Sequence, residues 1–332
     1  MSENLPYTSI EVCAGAGGQA LGLEAAGFRH LAAVEIDHHA VETLKLNRPD
    51  WNPVEADLKQ WVRDHAVDYQ GVDLVAGGVP CPPFSVAGKQ LGHEDERDLF
   101  PTMVQLAAAT RPKAIMIENV RGLLDPKFAD YRAQISAELA AIGYRMQWKL
   151  LQASDYGVPQ LRPRVIAVGL RDDLDAEFSY PAPSATPAPT VGETLVDLME
   201  ADGWSGARAW AGQAASIAPT IVGGSKKHGG PDLGPTRAKK AWKALGVNGH
   251  TIANEPPAPD HEGDPRLTIR MVARIQGFPD SWEFFGPKTH AYRQVGNAFP
   301  PPVAQAVGEQ IRQALDTAAA KIPSALTGTT TG

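Results

Sequence analysis

The sequence predicts an α/β fold, in which a doubly wound, Rossmann-like domain carries a second, smaller domain. Three observations predict it. Short apolar runs of strand length alternate with helical stretches through the first half of the chain. The first of these runs, residues 8–12, feeds a glycine-rich turn that opens a helix, the arrangement by which doubly wound folds bring backbone close to a nucleotide. At residues 181–189 the alternation gives way to a stretch rich in Pro, Ala, Ser and Thr that reads as a linker, and the chain beyond it changes character.

After the first strand come Cys13-Ala14-Gly15-Ala16-Gly17-Gly18 and a helix over residues 19–26 that stops at Gly27. A glycine turn taken alone often makes no more than a tight turn. The second strand, residues 30–36, ends in Glu35-Ile36-Asp37. An acid there is placed to accept from ribose hydroxyls, the alternative being a solvated loop acid. A third strand ends at Asp57-Leu58, with Asp57 able to accept from an adenine amino group. Residues 74–76 form a short buried strand ended by Gly77-Gly78, and Pro80-Cys81-Pro82 follows. The two prolines fix φ on either side of the thiol and donate no hydrogen bond. A lone cysteine is usually buried and structural. Two prolines after a glycine pair make a poor core, which favours a nucleophile at a strand end.

Residues 84–98 form a polar loop containing Lys89, Gln90 and Arg97, read either as a lid or as an ordinary surface loop. A helix over residues 99–110 leads to a strand over 114–120 that ends in Glu118-Asn119-Val120. A half-buried acid there costs free energy unless it is paired. A helix over 130–142 and strands over 144–153 and 165–170 follow. Between those strands, Gln160-Leu161-Arg162-Pro163-Arg164 sets two cations on alternate residues. On an extended segment they point the same way, toward a polar or anionic substrate or a solvated edge. Beyond the linker, Lys226, Lys227, Arg237, Lys239, Lys240 and Lys243 make a basic island in which Asp232 is the one acid. Its glycines let backbone approach a phosphate closely. Residues 266–276 read as a helix, 294–302 as a rigid turn, 303–315 as a helix, and the tail from Ala318 as frayed.

Composition narrows the class. The chain has 332 residues, 43% hydrophobic and 21% charged, which is ordinary for a globular protein of more than one domain. Two cysteines rule out a disulfide scaffold and imply a reducing compartment. No basic-then-apolar leader and no bilayer-length apolar run is expected. A net charge of -7 argues against a general nucleic-acid coat, so any such contact falls to a local basic patch.

In their order and spacing these residues resemble the cytosine-5 DNA methyltransferases over nearly the whole chain. The resemblance rests on the turn at residues 14–18, Glu35, Asp57, Pro80-Cys81, Glu118-Asn119-Val120, the Gln160 to Arg164 run, Arg266-Leu-Thr-Ile-Arg270 and Gln294-Val-Gly-Asn297. It implies S-adenosylmethionine as methyl donor, no metal, and a two-domain cleft around duplex DNA. It further implies a monomeric, cytoplasmic, nucleoid-associated bacterial protein of the restriction-modification type. A cognate restriction endonuclease would act on the same site without forming a stable complex. The catalytic domain would span residues 1–183, target recognition and hinge 184–288, and a return segment completing the first domain 289–332.

The resemblance also implies the chemistry. Cys81 adds to C6 of a flipped-out cytosine, which makes C5 nucleophilic. Glu118, if protonated, donates to N3, Arg164 holds O2, and Arg162 positions. A free carboxyl has a pKa of about 4, so Glu118 must be raised by burial or draw its proton from the ring equilibrium. The donor falls to Cys13, Ala14, Gly15, Gly17, Gly18, Ile36, Leu58, Pro80 and Ala298. Glu35 takes the ribose, Asp57 the adenine amino group, Leu99 the adenine face, and Asn297 closes the pocket. DNA falls to Phe84, Ser85, Lys89, Gln90, Arg97, Lys226, Lys227, Arg237, Lys239 and Lys240. Three positions depart from the family pattern. Cys13 stands for the usual Phe, Ile36 for an aromatic, and Ala87 for a Ser. Among rival readings, a transfer-RNA methyltransferase of the same fold lacks its Cys-Phe-Thr marker here. A nicotinamide oxidoreductase leaves Cys81 and Glu118 unused, and a DNA-binding regulator with a dead site is at odds with intact Cys81, Glu118 and Arg164.

Overall fold

In the computed structural model, which describes residues 7–80, 98–224 and 230–321, each apolar run read as a strand lies in one seven-stranded sheet. The first domain runs β1 (Tyr7–Val12), α1 (Gly18–Ala25), β2 (Phe28–Glu35), α2 (His38–Asn47), β3 (Pro53–Glu55), α3 (Leu58–His65), β4 (Leu74–Gly77), α4 (Phe100–Thr110), β5 (Ala114–Val120), α5 (Ala129–Ala141), β6 (Tyr144–Gln152) and β7 (Pro163–Arg171). The strand order is β3-β2-β1-β4-β5-β7-β6. From β1 the chain winds outward to β2 and β3, then crosses back to β4 on the other side of β1. The C-terminal ends of β1 and β4 therefore flank the switch point where open α/β sheets hold ligands. Val12 pairs with Gly77, and Gly77 with Ile117. Cys13, Gly78 and Glu118 consequently emerge at the same level. The last two strands run antiparallel, with β7 slotted between β5 and β6, and Val120 lies opposite Arg164.

Helices α3, α4 and α5 cover one face through Trp61, Met103, Leu106 and Leu139. The other face is closed by α1 and by the final helix, α11, after α6 (Val191–Glu200), α7 (Ala207–Gln213), α8 (Thr236–Ala244), α9 (Ile269–Ile275), α10 (Lys288–Asn297) and α11 itself (Pro301–Lys321). Bare backbone lets α1 and α11 meet, since a Cβ on Gly22 would lie 2.3 Å from the Pro301 carbonyl oxygen. The small domain packs α6 to α9 around Trp210 and Trp242, and its core runs on into Trp51 and Trp282. Trp51 and Trp242 are fully buried. Each aromatic of this size removes on the order of 200 Å² from water, roughly 5 kcal/mol before ordering costs. Trp282 Nε1 donates to the Ala16 carbonyl at 3.1 Å and so pins this core to the glycine turn. No helix among the described residues is long and apolar enough to cross a membrane.

Three local expectations are corrected. β3 ends at Glu55, before Asp57-Leu58, because the Asp57 carboxylate accepts from Gln60 N at 3.1 Å and caps α3. Residues 294–297 are the last turn of α10 and not a rigid turn. The buried Gln294 amide holds them there, accepting from Thr43 Oγ1 at 2.6 Å and donating to the Phe285 carbonyl at 2.9 Å. The helix expected to fray from Ala318 continues to Lys321, where Ala318 is still buried and Lys321 pairs with Asp175 at 3.0 Å.

Candidate active site

A cavity of about 350 Å³ opens at the C-terminal ends of β1, β4 and β5. Its wall includes Cys13, Ala14, Gly15, Gly18, Glu35, Ile36, Pro80, Leu99, Asn297 and Ala298, ten of the residues read from sequence as donor contacts. Glu35 is fixed by backbone amides. Oε2 accepts from Gly15 N, and Oε1 from Ile36 N and Asp37 N, each at 2.8 Å. A carboxylate has about four lone-pair sites, so one remains for a ligand. Cys13 and Gly15 sit in the left-handed region, with φ of +50° and +53°. Nothing lies within 4 Å of a Cβ on Gly15, so that backbone faces open space. The other two glycines serve packing. A Cβ on Gly17 would stand 2.8 Å from Leu44 Cδ2, and one on Gly18 would stand 2.3 Å from the Phe299 carbonyl. Gly17, Asp57 and Leu58 are not brought to the cavity wall. Burial and then the neighbouring carboxylates of Glu35, Glu11 and Asp57 push the Cys13 thiol far up, which leaves it inert at neutral pH.

The inner end of the cavity holds Glu118, whose Oε1 receives Arg164 Nε at 2.7 Å. Burial pushes the Glu118 carboxyl up, and the guanidiniums of Arg164 and Arg162 only partly offset it. Gly78 leaves the space this carboxyl needs, since a Cβ there would be 3.1 Å from Glu118 Oε2. Asn119 Nδ2 donates to the Val79 carbonyl at 2.8 Å and fixes the chain just before Pro80. Cys81, Phe84, Ser85, Ala87, Lys89, Gln90, Arg97, Lys226 and Lys227 lie outside the described residues.

Arg162 does something different from Arg164. It is 1% exposed, and its guanidinium donates to the carbonyls of Ile221 at 2.7 Å and of Gly296 and Ala298 at 2.9 Å each. The two cations therefore do not serve one substrate together. Arg164 meets a carboxylate at the cavity, and Arg162 ties three chain segments behind it. Two glutamines complete that tie. Gln160 Oε1 accepts from Ile221 N at 2.9 Å, and its amide donates to Gln276. Gln276 in turn donates to the carbonyls of Val295 at 3.1 Å and Ala298 at 2.7 Å. Sequence reasoning gave neither glutamine a role. It also passed over Glu11, Gln19, His290 and Arg293, which line the cavity from β1, α1 and α10. Glu11 had one available signal, an acid between the apolar Ile10 and Val12 of a strand.

The basic island is less basic in three dimensions. Lys239 Nζ meets Asp232 at 3.1 Å. Lys239, Lys240 and Lys243 line an open cavity of about 940 Å³ whose wall also carries Glu255, Glu262 and Asp264, with the exposed Arg237 off that wall. This cavity is larger, but it has no strand end or convergent catalytic group, so the smaller one is the candidate site. The smaller cavity suits a nucleoside ligand with a cationic tail. Glu35 keeps an unused acceptor site, Gly15 leaves open space, and the Gln19 Oε1 atom is buried with no partner. Among the described residues no cluster of three His, Cys, Asp or Glu side chains is built to hold a metal.

Comparison with known proteins gives the family. The family described as C-5 cytosine-specific DNA methylase matches residues 7–313. The chain is 56% identical over 310 residues to the type II methyltransferase M.NaeI of Lentzea aerocolonigenes, covering 92% of this chain and 75% of that protein. It is 53% identical over 320 residues to M.NgoMIV of Neisseria gonorrhoeae, covering 94% and 99%. In fold it is similar to a putative DNA modification methyltransferase encoded within an E. coli prophage, with a TM-score of 0.66 at 23% identity over 93% of this chain and 99% of that one. It is also similar to a DNMT2 variant from Spodoptera frugiperda, with a TM-score of 0.65 at 18% identity over 92% and 99%.

Proposed function

Because this chain belongs to the C-5 cytosine-specific DNA methylase family and is a DNA cytosine-5 methyltransferase, we propose that it methylates a cytosine flipped out of duplex DNA through a transient bond from Cys81 to C6. The observation that carries this reading is the pairing of a buried Glu118, its carboxyl pushed up by burial, with Arg164 at the strand end beside Pro80. S-adenosylmethionine, when bound, supplies an electrophilic methyl group on a positively charged sulfur. On this reading Glu35 accepts from the ribose, Leu99 packs on the adenine, and Asn297 and Ala298 close the cavity from the end of α10. Asp57 is a weaker adenine contact, since its carboxylate already caps α3.

The cytosine must leave the stack for its ring to reach this depth, at a cost of roughly a few kcal/mol. The Cys81 thiolate adds to C6, and electron density moves onto N3 and O2. Glu118 gives its proton to N3 and Arg164 stabilises O2. C5 then takes the methyl group, the C5 proton passes to solvent as the thiolate is expelled, and N3 returns its proton to Glu118. Arg162 contributes by holding the cavity wall in place. Residues 184–288 would read the DNA sequence, and residues 289–332 would return to complete the donor pocket. The protein would act as the modification half of a type II restriction-modification pair in the bacterial cytoplasm, with the matching endonuclease reading the same site independently.

DNA carrying 5-fluorocytosine at the target tests the covalent step. Fluorine cannot leave as a proton does, so the wild-type protein is expected to stay joined to this DNA through SDS and heat, and only with donor present. Cys13→Ser should still crosslink and Cys81→Ser should not. A Cys81→Ser protein that crosslinks and methylates would remove the mechanism.

A further inference from the structure

The reaction as described leaves one buried acid of this cavity unused. Glu11, the penultimate residue of β1, is 1% exposed and lines the cavity with Gln19, Gly78 and Glu118. Its nearest donor is Gln19 Nε2 at 3.5 Å, the outer limit of a hydrogen bond. The other end of that amide, Oε1, is buried with no partner. A carboxyl this deep, with so little compensation, holds its proton. Burial pushes it well up, the charge of Glu118 adds to that, and the Gln19 hydrogen bond opposes it only in part.

The donor assignment above fixes what arrives beside it. The methyl group has to face a base held between Glu118 and Pro80, so the positive sulfur lies at this end of the cavity and away from Ile36. We propose that Glu11 is a proton-coupled contact for the cationic end of the methyl donor, neutral in the free protein and ionised when the donor is bound. The Glu11 O–H bond breaks, its proton passes to solvent, and the carboxylate becomes the counter-charge. After methyl transfer the sulfur is a neutral thioether, the carboxylate loses its partner, and a proton returns. The protein thus senses the charge that distinguishes donor from spent product. The other titratable and charged groups on this cavity are Cys13, Glu35, Asp37, Glu118, His290 and Arg293. Of these, Glu118 is the one whose charge acts on Glu11.

Titration calorimetry on the full chain reads this directly. S-adenosylmethionine is bound in buffers of matched pH and different ionisation heat, and the dependence of heat on buffer gives the protons released. About one proton per donor is expected near neutral pH, and clearly less for S-adenosylhomocysteine. Glu11→Gln should bind donor without releasing that proton, Glu118→Gln should still release it, and Glu11→Asp should keep it with weaker binding. Heats independent of buffer in the wild type, or unchanged release in Glu11→Gln, would overturn the proposal. If Glu11→Gln fails to fold, the wild-type buffer dependence and the difference between donor and product still decide. Absence of any donor binding would instead overturn the donor assignment.

Discussion

Arg164 and Arg162 leave the chain on alternate residues and build two unlike regions. Around Arg164 the site is charged and reaches the cavity, with its guanidinium against a carboxyl whose pKa burial raises. The groups that Arg162 bonds, and those that tie them further, are neutral backbone carbonyls and glutamine amides. The same side chain is used for its charge in one place and for its fork of donors in the other. Position in a motif therefore does not give a residue's role, whereas the kind of acceptor it meets does.

The strongest break of this comparison comes at the charged region. Glu118→Gln and Arg164→Ala are each expected to lower kcat by roughly 10²- to 10⁴-fold, the usual size for a lost proton donor or oxyanion contact. The melting temperature should stay within a few degrees of wild type. Single-turnover methylation of a DNA duplex with a matched thermal melt measures both, and a large drop in melting temperature would count against the division of roles.

At the neutral region the pattern should reverse. Arg162→Ala orphans the buried carbonyls of Ile221 and Gly296 and leaves that of Ala298 to Gln276 alone, and at 1–3 kcal/mol for each unsatisfied group the loss is about 2 kcal/mol or more. Denaturant unfolding should show it. Lysine should restore little, because a point charge cannot serve three diverging acceptors. An Arg162→Ala protein with unchanged stability and lost activity would place Arg162 in the chemistry.

The smallest effect separates the regions by pH. Glu118 has a raised pKa in the folded protein, so the folded state binds its proton more tightly than the unfolded chain does. That contribution to stability is fully present below the ordinary glutamate value of about 4.3 and is lost as pH rises through the folded value. Glu118→Gln should therefore lessen the fall in stability with rising pH, while Arg162→Ala, which removes one of the two cations that hold Glu118 down, should steepen it. Melts across pH 4 to 8 provide the measurement, and parallel curves for wild type and Glu118→Gln would contradict it.

Most of the sheet was legible because its strands are apolar runs that end on glycine or acid, as at Gly77 and Glu118. The insertion of β7 between β5 and β6 was not legible, since neither strand differs in pattern from a parallel one. The last turn of α10 was missed because Gly296 and Asn297 are poor helix formers, and tertiary hydrogen bonds to Gln294 from Thr43 and from it to Phe285 override them. The acids and glycines of the site stood out by type. The split between Gly15 and Gly17 did not, because only neighbours distant in sequence, Leu44 and Trp282, give Gly17 its purpose. The tie made by Gln160 and Gln276 left no trace, since an amide that spans 116 residues of sequence looks like any surface glutamine.

Behind Asn297 two backbones touch with no side chain between them. A Cβ on Gly296 would come within 2.4 Å of Gly223 Cα, and one on Gly223 within 2.6 Å of Asn297 Oδ1. A joint of this kind has no rotamers, so its spacing is set by atomic radii alone and is the same in every copy of the molecule. It works as a datum from which both surfaces are measured, the rim of the cavity at Asn297 on one side and the strand of chain that enters the basic island on the other. A side chain at either glycine would therefore push the rim of the cavity at Asn297 away from the chain that enters the basic island.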